Sequence, residues 1–117
     1  MPRLVRPAIR AILRSIERVE EEVRDLTREV YVADWRRQYI VERAIEIISE
    51  ATRRIPPELR GKHPQVPWKQ VMGIGNVLGH EYDEIANDIV FDAAVNHLPV
   101  LKTAILAIDA GLDEPEE

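Results

Sequence analysis

The sequence predicts an all-α protein, folded as an antiparallel bundle of four to five helices. Apolar residues recur at steps of three and four along most of the chain, the spacing that places them on one side of a helix. No strand-like alternation of any length is visible, and no segment repeats with a period of about 20 to 50 residues. Because most links between the amphipathic stretches are short, neighbouring helices are expected to run antiparallel with their apolar sides facing a common axis.

The first half of the chain carries two long helical patterns. Helix one is predicted from about 7 to 26, and Thr27 is expected to cap the next helix because its hydroxyl can accept from an otherwise unpartnered backbone N–H. The second pattern continues to about Ile55 with a kink near Asp34, and a pair of prolines ends it. The apolar positions of helix one are Ile9, Ile12, Leu13, Ile16, Val19, Val23 and Leu26.

The second half begins with a segment rich in proline. Residues 56–67 contain four prolines and one glycine, which predicts a loop. A third helix is expected to start at Pro67, and a fourth to span 87–97. Pro99 then predicts a break before a last helix over 100–110.

Length and composition predict one domain over residues 1–111, followed by an acidic, disordered tail at 112–117. The sequence has no cysteine, which excludes disulfides, thiolate metal sites and thiol nucleophiles. The longest apolar run, Ala104 to Ile108, is far short of the roughly 20 residues that cross a membrane. We therefore expect a cytoplasmic protein without a membrane segment.

Charge is distributed unevenly along the chain. The net charge of −5 argues against broad, non-specific nucleic-acid binding. Residues 1–60 nevertheless hold all 13 arginines, against 11 acidic residues, so a local basic face would have to lie in this half. Most of these arginines alternate with glutamates at helical spacing, which is more typical of a solvated helix surface.

The segment GIGNVLGHEY, from Gly73 to Tyr82, carries the residues best suited to chemistry. Its three glycines are spaced one residue too far for a dinucleotide fingerprint, and no strand precedes them. Gly75 and Gly79 are four apart, which favours close approach of another helix. His80 and Glu81 begin like a zinc motif that lacks its second histidine, so no metal site is predicted. His80 alone could exchange protons at neutral pH, or be an ordinary surface histidine.

From Thr27 to Ile105 the chain resembles the HepT-like toxin family of the HEPN superfamily. The resemblance rests on several landmarks that coincide in order. These are Arg43 with the EIISEA segment, Pro64 with Pro67 and Trp68, Asn76, the His80, Glu81 and Tyr82 triplet, and Leu98 and Pro99 with Leu101.

This resemblance implies a HEPN-like homodimer whose two motif segments face each other across a cleft. It implies a metal-independent ribonuclease toxin that uses no cofactor and is neutralised by an MNT-type nucleotidyltransferase antitoxin. His80 matches the family's catalytic histidine and Asn76 the polar residue after the motif arginine. Tyr82 matches the tyrosine to which the nucleotidyltransferase adds AMP, and Arg43 is a candidate phosphate contact.

One position departs from the family motif, because Gly75 stands where the motif has arginine. Losing a charge-stabilising group typically costs about 10² to 10³ in rate, so weak or absent cleavage is expected. Arg43, Arg36 or Arg37 are candidate replacements for the missing cation. Three alternatives stay open: a ribonuclease that uses His80, a degenerate partner that presents Tyr82 to a nucleotidyltransferase, and a ligand-binding or structural bundle.

Overall fold

The computed structural model describes residues 5–80 and 84–112, and within them every side chain except those of 77, 79, 80 and 84–86. This part of the chain is helical without strands, which confirms the predicted all-α bundle. The helices are α1 (Val5–Val23), α2 (Arg28–Val32), α3 (Trp35–Thr52), α4 (Pro57–Arg60), α5 (Trp68–His80), α6 (Glu84–Asp92) and α7 (Leu98–Leu112), with a π-helical turn (Ala93–His97) between the last two.

Helix α1 packs between α3 and α7 and runs antiparallel to both. At its end, the Glu22 carbonyl accepts from Arg37 Nη1 of early α3 at 2.7 Å. Glu20 pairs with Lys102 of α7 at 3.0 Å. The core beneath these contacts is almost wholly aliphatic, and its largest fully buried side chains are Tyr31, Ile9, Ile12, Ile16, Ile45, Ile48, Ile55, Leu101 and Ile105.

The kink predicted near Asp34 is a complete break between two helices. Asp34 leaves the helical region, with φ −115° and ψ 92°, and its carboxylate accepts from the Arg37 backbone N–H at 3.1 Å. Thr27 caps α2 in the same way, as predicted, by accepting from the Val30 N–H at 3.3 Å. Each cap partners an N–H that the first turn of a helix leaves free, and the two caps fix where α2 and α3 begin.

The break predicted at Pro99 is absent. Proline lacks an N–H and its ring clashes with the carbonyl four residues earlier, which normally ends a helix. Here the π-helical turn widens the helix just before the proline, and the Leu98 N–H donates to the Ala93 carbonyl five residues back. Residues 84–112 are therefore continuously helical, and α7 extends to Leu112, beyond the predicted end.

Two smaller differences concern the loop and the end of the chain. The predicted loop 56–67 contains the short helix α4, which begins at Pro57, where a proline costs no hydrogen bond. Of the predicted acidic tail, only Leu112 lies among the described residues. The division into one domain and a disordered tail stays a prediction.

The stretch Asn87–Leu112 meets the length and composition of a membrane-spanning helix, the one helix among the described residues to do so. Core helices of soluble proteins meet the same criteria. In this fold Leu101, Ile105 and Ile108 of α7 are buried in the core, and Lys102 pairs with Glu20 of α1. In all, 39% of the most apolar part of this stretch is buried within the fold.

Candidate functional site

Helix α5 carries two of the residues that the sequence singles out, Asn76 and His80. Its start is fixed by Trp68, whose indole N–H donates to the His63 carbonyl at 3.0 Å. Asn76 is exposed on the helix surface, and His80 is the last residue of α5. The imidazole of His80 lies outside the described part of the chain, as does Tyr82.

Helix α5 packs closely on the last turns of α3. The Ser49 hydroxyl donates to the Met72 carbonyl at 2.8 Å. A Cβ built on Gly75 would lie 3.2 Å from Ser49 Oγ, so the glycine allows this approach. The predicted role of Gly75, to let another helix approach closely, is therefore confirmed. Gly79, the other glycine of this prediction, lies outside the described side chains, and a Cβ at Gly73 would meet nothing within 4 Å.

A guanidinium group lies at this contact that the sequence did not single out. Arg53 directly follows α3, one turn beyond Ser49, and its Nη2 donates to the Met72 carbonyl at 2.7 Å. Met72 precedes Gly75 by three residues, about 4.5 Å along the helix axis. A second arginine, Arg60, reaches the Met72 sulfur with Nη1 at 3.4 Å. No local sequence pattern predicts these two arginine contacts, because they depend on how the chain at the end of α3 and beyond it packs against α5.

The three arginines considered from sequence lie elsewhere. Arg37 is held by Glu22 and Asp34 at 3.3 and 3.2 Å. Arg36 lies over the ring of Trp35, 5.5 Å from its centroid. The structure brings neither residue to the face of α3 that contacts α5.

Arg43 also points away from α5. It precedes Ser49 by six positions, which places it about 120° round the α3 helix. Its side chain is 71% exposed, with Glu46 at 3.9 Å. Within one protomer, the structure does not bring Arg43 to Asn76.

Arg43 instead lines a shallow groove between α1 and α3, of about 600 Å³. We call it the arginine groove, because three of its nine lining residues are arginines. The lining residues are Ala11, Arg14, Ser15, Arg18, Tyr39, Ile40, Arg43, Ala44 and Ile47.

A second cavity, of about 380 Å³, lies between α3, α5 and α6 and is lined mainly by aliphatic side chains. We call it the apolar cavity. Ile45, Val71, Ile74 and Ile89 are among the residues that line it. At its edge His97 Nε2 lies 3.3 Å from an Asp92 carboxylate oxygen.

Burial shifts the pKa of two groups outside α5. Burial raises the pKa of Glu42, and the neighbouring Glu46 raises it further. Burial likewise raises the pKa of Tyr31, well above the ordinary tyrosine value, with a smaller contribution from Glu42. Across the described ranges, no three His, Asp or Glu side chains are grouped to hold a metal ion.

Comparison with known proteins identifies the family. Residues 12–108 match the model of the family described as Ribonuclease HepT-like. A protein of Caldanaerobacter subterraneus named "Putative RNase" is 33% identical over 88% of this chain and 92% of its own length. The "Probable ribonuclease HepT" of Thermococcus cleftensis is 32% identical over 78% of this chain and 83% of its own. No solved structure matches the chain. The chain belongs to the HepT-like ribonuclease family.

Proposed function

We propose that this chain is the toxin of a toxin–antitoxin pair, a metal-independent ribonuclease of reduced activity. The match to the ribonuclease family over residues 12–108 carries this proposal. His80, which matches the catalytic histidine, ends α5, and Asn76 lies one turn earlier on the exposed surface of the same helix.

Cleavage of RNA without a metal needs three chemical contributions. A base removes the proton from the 2′-hydroxyl, which then attacks the neighbouring phosphorus atom, and an acid protonates the departing 5′-oxygen. A cation stabilises the negative charge that develops on the phosphate. In a dimer, one His80 would act as the base and its copy in the partner as the acid. Gly75 supplies no cation.

Arg53 is our candidate to replace the motif arginine in part, because its guanidinium contacts the α5 backbone three residues before Gly75. Its guanidinium has five N–H donors, of which one is given to Met72. The Cβ direction of Gly75 points at Ser49, one turn before Arg53 on α3. The side chain of an arginine at position 75 would therefore extend from α5 towards α3, near Arg53. A guanidinium carried from the end of α3 would reach the phosphate less directly than one carried by α5, which is why we propose reduced activity.

The experiment measures cleavage of single-stranded RNA in EDTA by the wild-type protein and by variants at positions 75 and 80. His80→Ala should abolish cleavage. Gly75→Arg should raise the rate at least about tenfold, given the usual effect of one positioned cation. Gly75→Ala is the matched control, because it makes the same Cβ contact with Ser49 without adding charge. Equal rates for all three position-75 proteins would contradict the role of the arginine position.

A double substitution tests Arg53. Arg53→Gln should lower the residual rate of the wild-type protein about tenfold or more. In the Gly75→Arg background the same change should have little effect, because the restored arginine takes over the stabilising role. Equal losses in both backgrounds would show that Arg53 acts on folding or on binding.

Gly75 also favours a second function, that of a catalytically degenerate partner for an MNT-type nucleotidyltransferase. Complete inactivity of both the wild-type protein and Gly75→Arg would support it. In either function Tyr82 is the proposed acceptor of AMP from the antitoxin. Co-expression with the neighbouring nucleotidyltransferase should add one or more AMP masses, and Tyr82→Phe should abolish the addition. An unchanged mass beside an active nucleotidyltransferase would exclude this modification.

A further inference from the structure

We propose that the arginine groove, extended by Trp35, binds single-stranded RNA. The inference rests on the proposed ribonuclease function and adds where the RNA strand lies on the protein. The surface is formed by one face of α3, which carries Trp35, Tyr39 and Arg43, and by Arg14 and Arg18 of α1.

The charges of this surface suit a polyanion. Arg14 and Arg18 are exposed one turn apart on α1, and no ion-pair partner for either is found among the described residues. Arg43 has Glu46 at 3.9 Å, but both side chains are well exposed, and such pairs contribute little. The groove lining contains no carboxylate. Its three guanidinium groups are thus available to phosphates, which they bind bidentately.

Two exposed aromatic rings adjoin the arginine groove, and Trp35 also lines a neighbouring depression that contains Glu29 and Asp34. Trp35 is 62% and Tyr39 70% exposed, which is unusual for such large side chains. Their ring centroids are 5.7 Å apart at 79°. Arg36 covers part of the Trp35 ring, while Tyr39 lines the groove itself. Exposed rings beside arginines are what unpaired bases stack on, whichever base is present.

A second copy of the chain fits this surface less well. If the groove lay on the two-fold axis of an isologous dimer, three arginines of one groove would face three of the other. No carboxylate in either lining would offset that repulsion. The charge pattern therefore favours RNA as the occupant, although the chain as a whole carries a net charge of −5.

The groove is separate from the contact between α3 and α5. Arg43 and Ser49 lie on different sides of α3, and only Ser49 meets α5. The groove would therefore bind nucleotides that are distant from the bond that is cleaved. Its loss should raise the KM for RNA and leave kcat nearly unchanged.

The experiment measures binding by fluorescence anisotropy with a labelled 2′-O-methyl RNA of about 12 nucleotides, within the usual range of site sizes. This probe has no 2′-hydroxyl and cannot be cleaved, so binding is tested independently of catalysis. The variants are Tyr39→Ala, the double variant Arg14→Ala with Arg18→Ala, and the corresponding double lysine variant. Lys69→Ala is the matched control, since Lys69 is an exposed cation on α5 outside the groove.

Tyr39→Ala should weaken binding at least about fivefold, the usual loss for one stacked base. The double alanine variant should flatten the slope of log Kd against log salt by about 1.4, two contacts at about 0.7 each. The double lysine variant should keep most of that slope, and Lys69→Ala should bind as the wild type does.

Wild-type affinity in the Tyr39 and double alanine variants would overturn the groove proposal, even if the protein cleaves RNA. The proposal is also overturned if these variants turn a dimer into a monomer while RNA binding is unaffected, because the groove would then be a protein interface. If the groove binds RNA but neither the wild-type protein nor any variant cleaves it, the ribonuclease function is excluded and the groove proposal stands.

Discussion

The buried hydroxyl of Tyr31 lowers the stability of this core. Its side chain is fully buried against Phe91, with ring centroids 5.4 Å apart. Within the described residues its hydroxyl has no hydrogen-bond partner. A buried hydroxyl in that state costs about 1 to 3 kcal/mol, while the ring itself is well packed. The aromatic ring thus stabilises the fold and its hydroxyl opposes it.

Tyr31→Phe should therefore raise the free energy of unfolding by about 1 kcal/mol, and the melting temperature by a few degrees. Thermal unfolding followed by circular dichroism measures this. Tyr39→Phe is the control, because the Tyr39 side chain is 70% exposed and removing its hydroxyl should change nothing. A loss of stability in Tyr31→Phe would show that the hydroxyl has a partner.

Asp34 makes stability depend on pH at the junction of α2 and α3. The Arg37 backbone N–H lowers the pKa of this carboxyl, aided by the Arg37 guanidinium. Because the pKa is lower in the folded protein, the charged carboxylate stabilises the fold above its ordinary pKa. That contribution is lost as the pH falls towards the lowered value.

Asp34→Asn keeps an oxygen that can cap the helix but removes the charge. The wild-type protein should melt at a higher temperature than this variant at pH 7, and the difference should shrink as the pH falls below about 4. Melting temperatures of both proteins across that range provide the test. A difference that does not change with pH would show that the carboxylate acts only as a hydrogen-bond acceptor.

At the scale of the helices, Gly73 and Gly75 of α5 have different surroundings. Gly73 has open space where a Cβ would lie, whereas a Cβ at Gly75 would lie 3.2 Å from Ser49 Oγ. Glycine inside a helix costs about 1 kcal/mol relative to alanine. Gly73→Ala should recover most of that amount, while Gly75→Ala should recover less because Ser49 must shift. Urea unfolding of the pair measures the difference, and equal gains would show that the contact is not tight.

The helices themselves were largely predictable because apolar spacing and caps are local signals. Thr27 was predicted as a cap and is one, and Asp34 was placed at a kink that proves to be a break. The continuous helix through Pro99 was not predictable, because a π-helical turn has no clear sequence pattern. Arg53 was missed for a different reason. Its contact with Met72 joins residues 19 apart, and only tertiary packing brings them together.

At the scale of the whole molecule, the proposed mechanism needs two copies of the chain, one His80 from each. Most aliphatic side chains that line the apolar cavity are buried within one protomer, but its edge offers an exposed one to a second copy. Ile89 lines this cavity and is 38% exposed. We propose that the cavity and its edge form part of a two-fold interface, where each copy presents the same surface to the other.

Ile89→Glu should then dissociate the dimer, because the two-fold axis places the new charge at the interface twice and burying an unpaired carboxylate is costly. Light scattering at tens of micromolar should give the dimer mass for the wild type and the monomer mass for the variant. Leu106→Glu is the matched control. Leu106 is 48% exposed on α7 and does not line the cavity, so this variant should stay dimeric. If His80 acts from both protomers, Ile89→Glu should also lose RNA cleavage while keeping its helical circular dichroism. A dimer that survives Ile89→Glu would exclude this interface. A monomeric wild-type protein would exclude it as well, and would also leave the proposed mechanism without its second histidine.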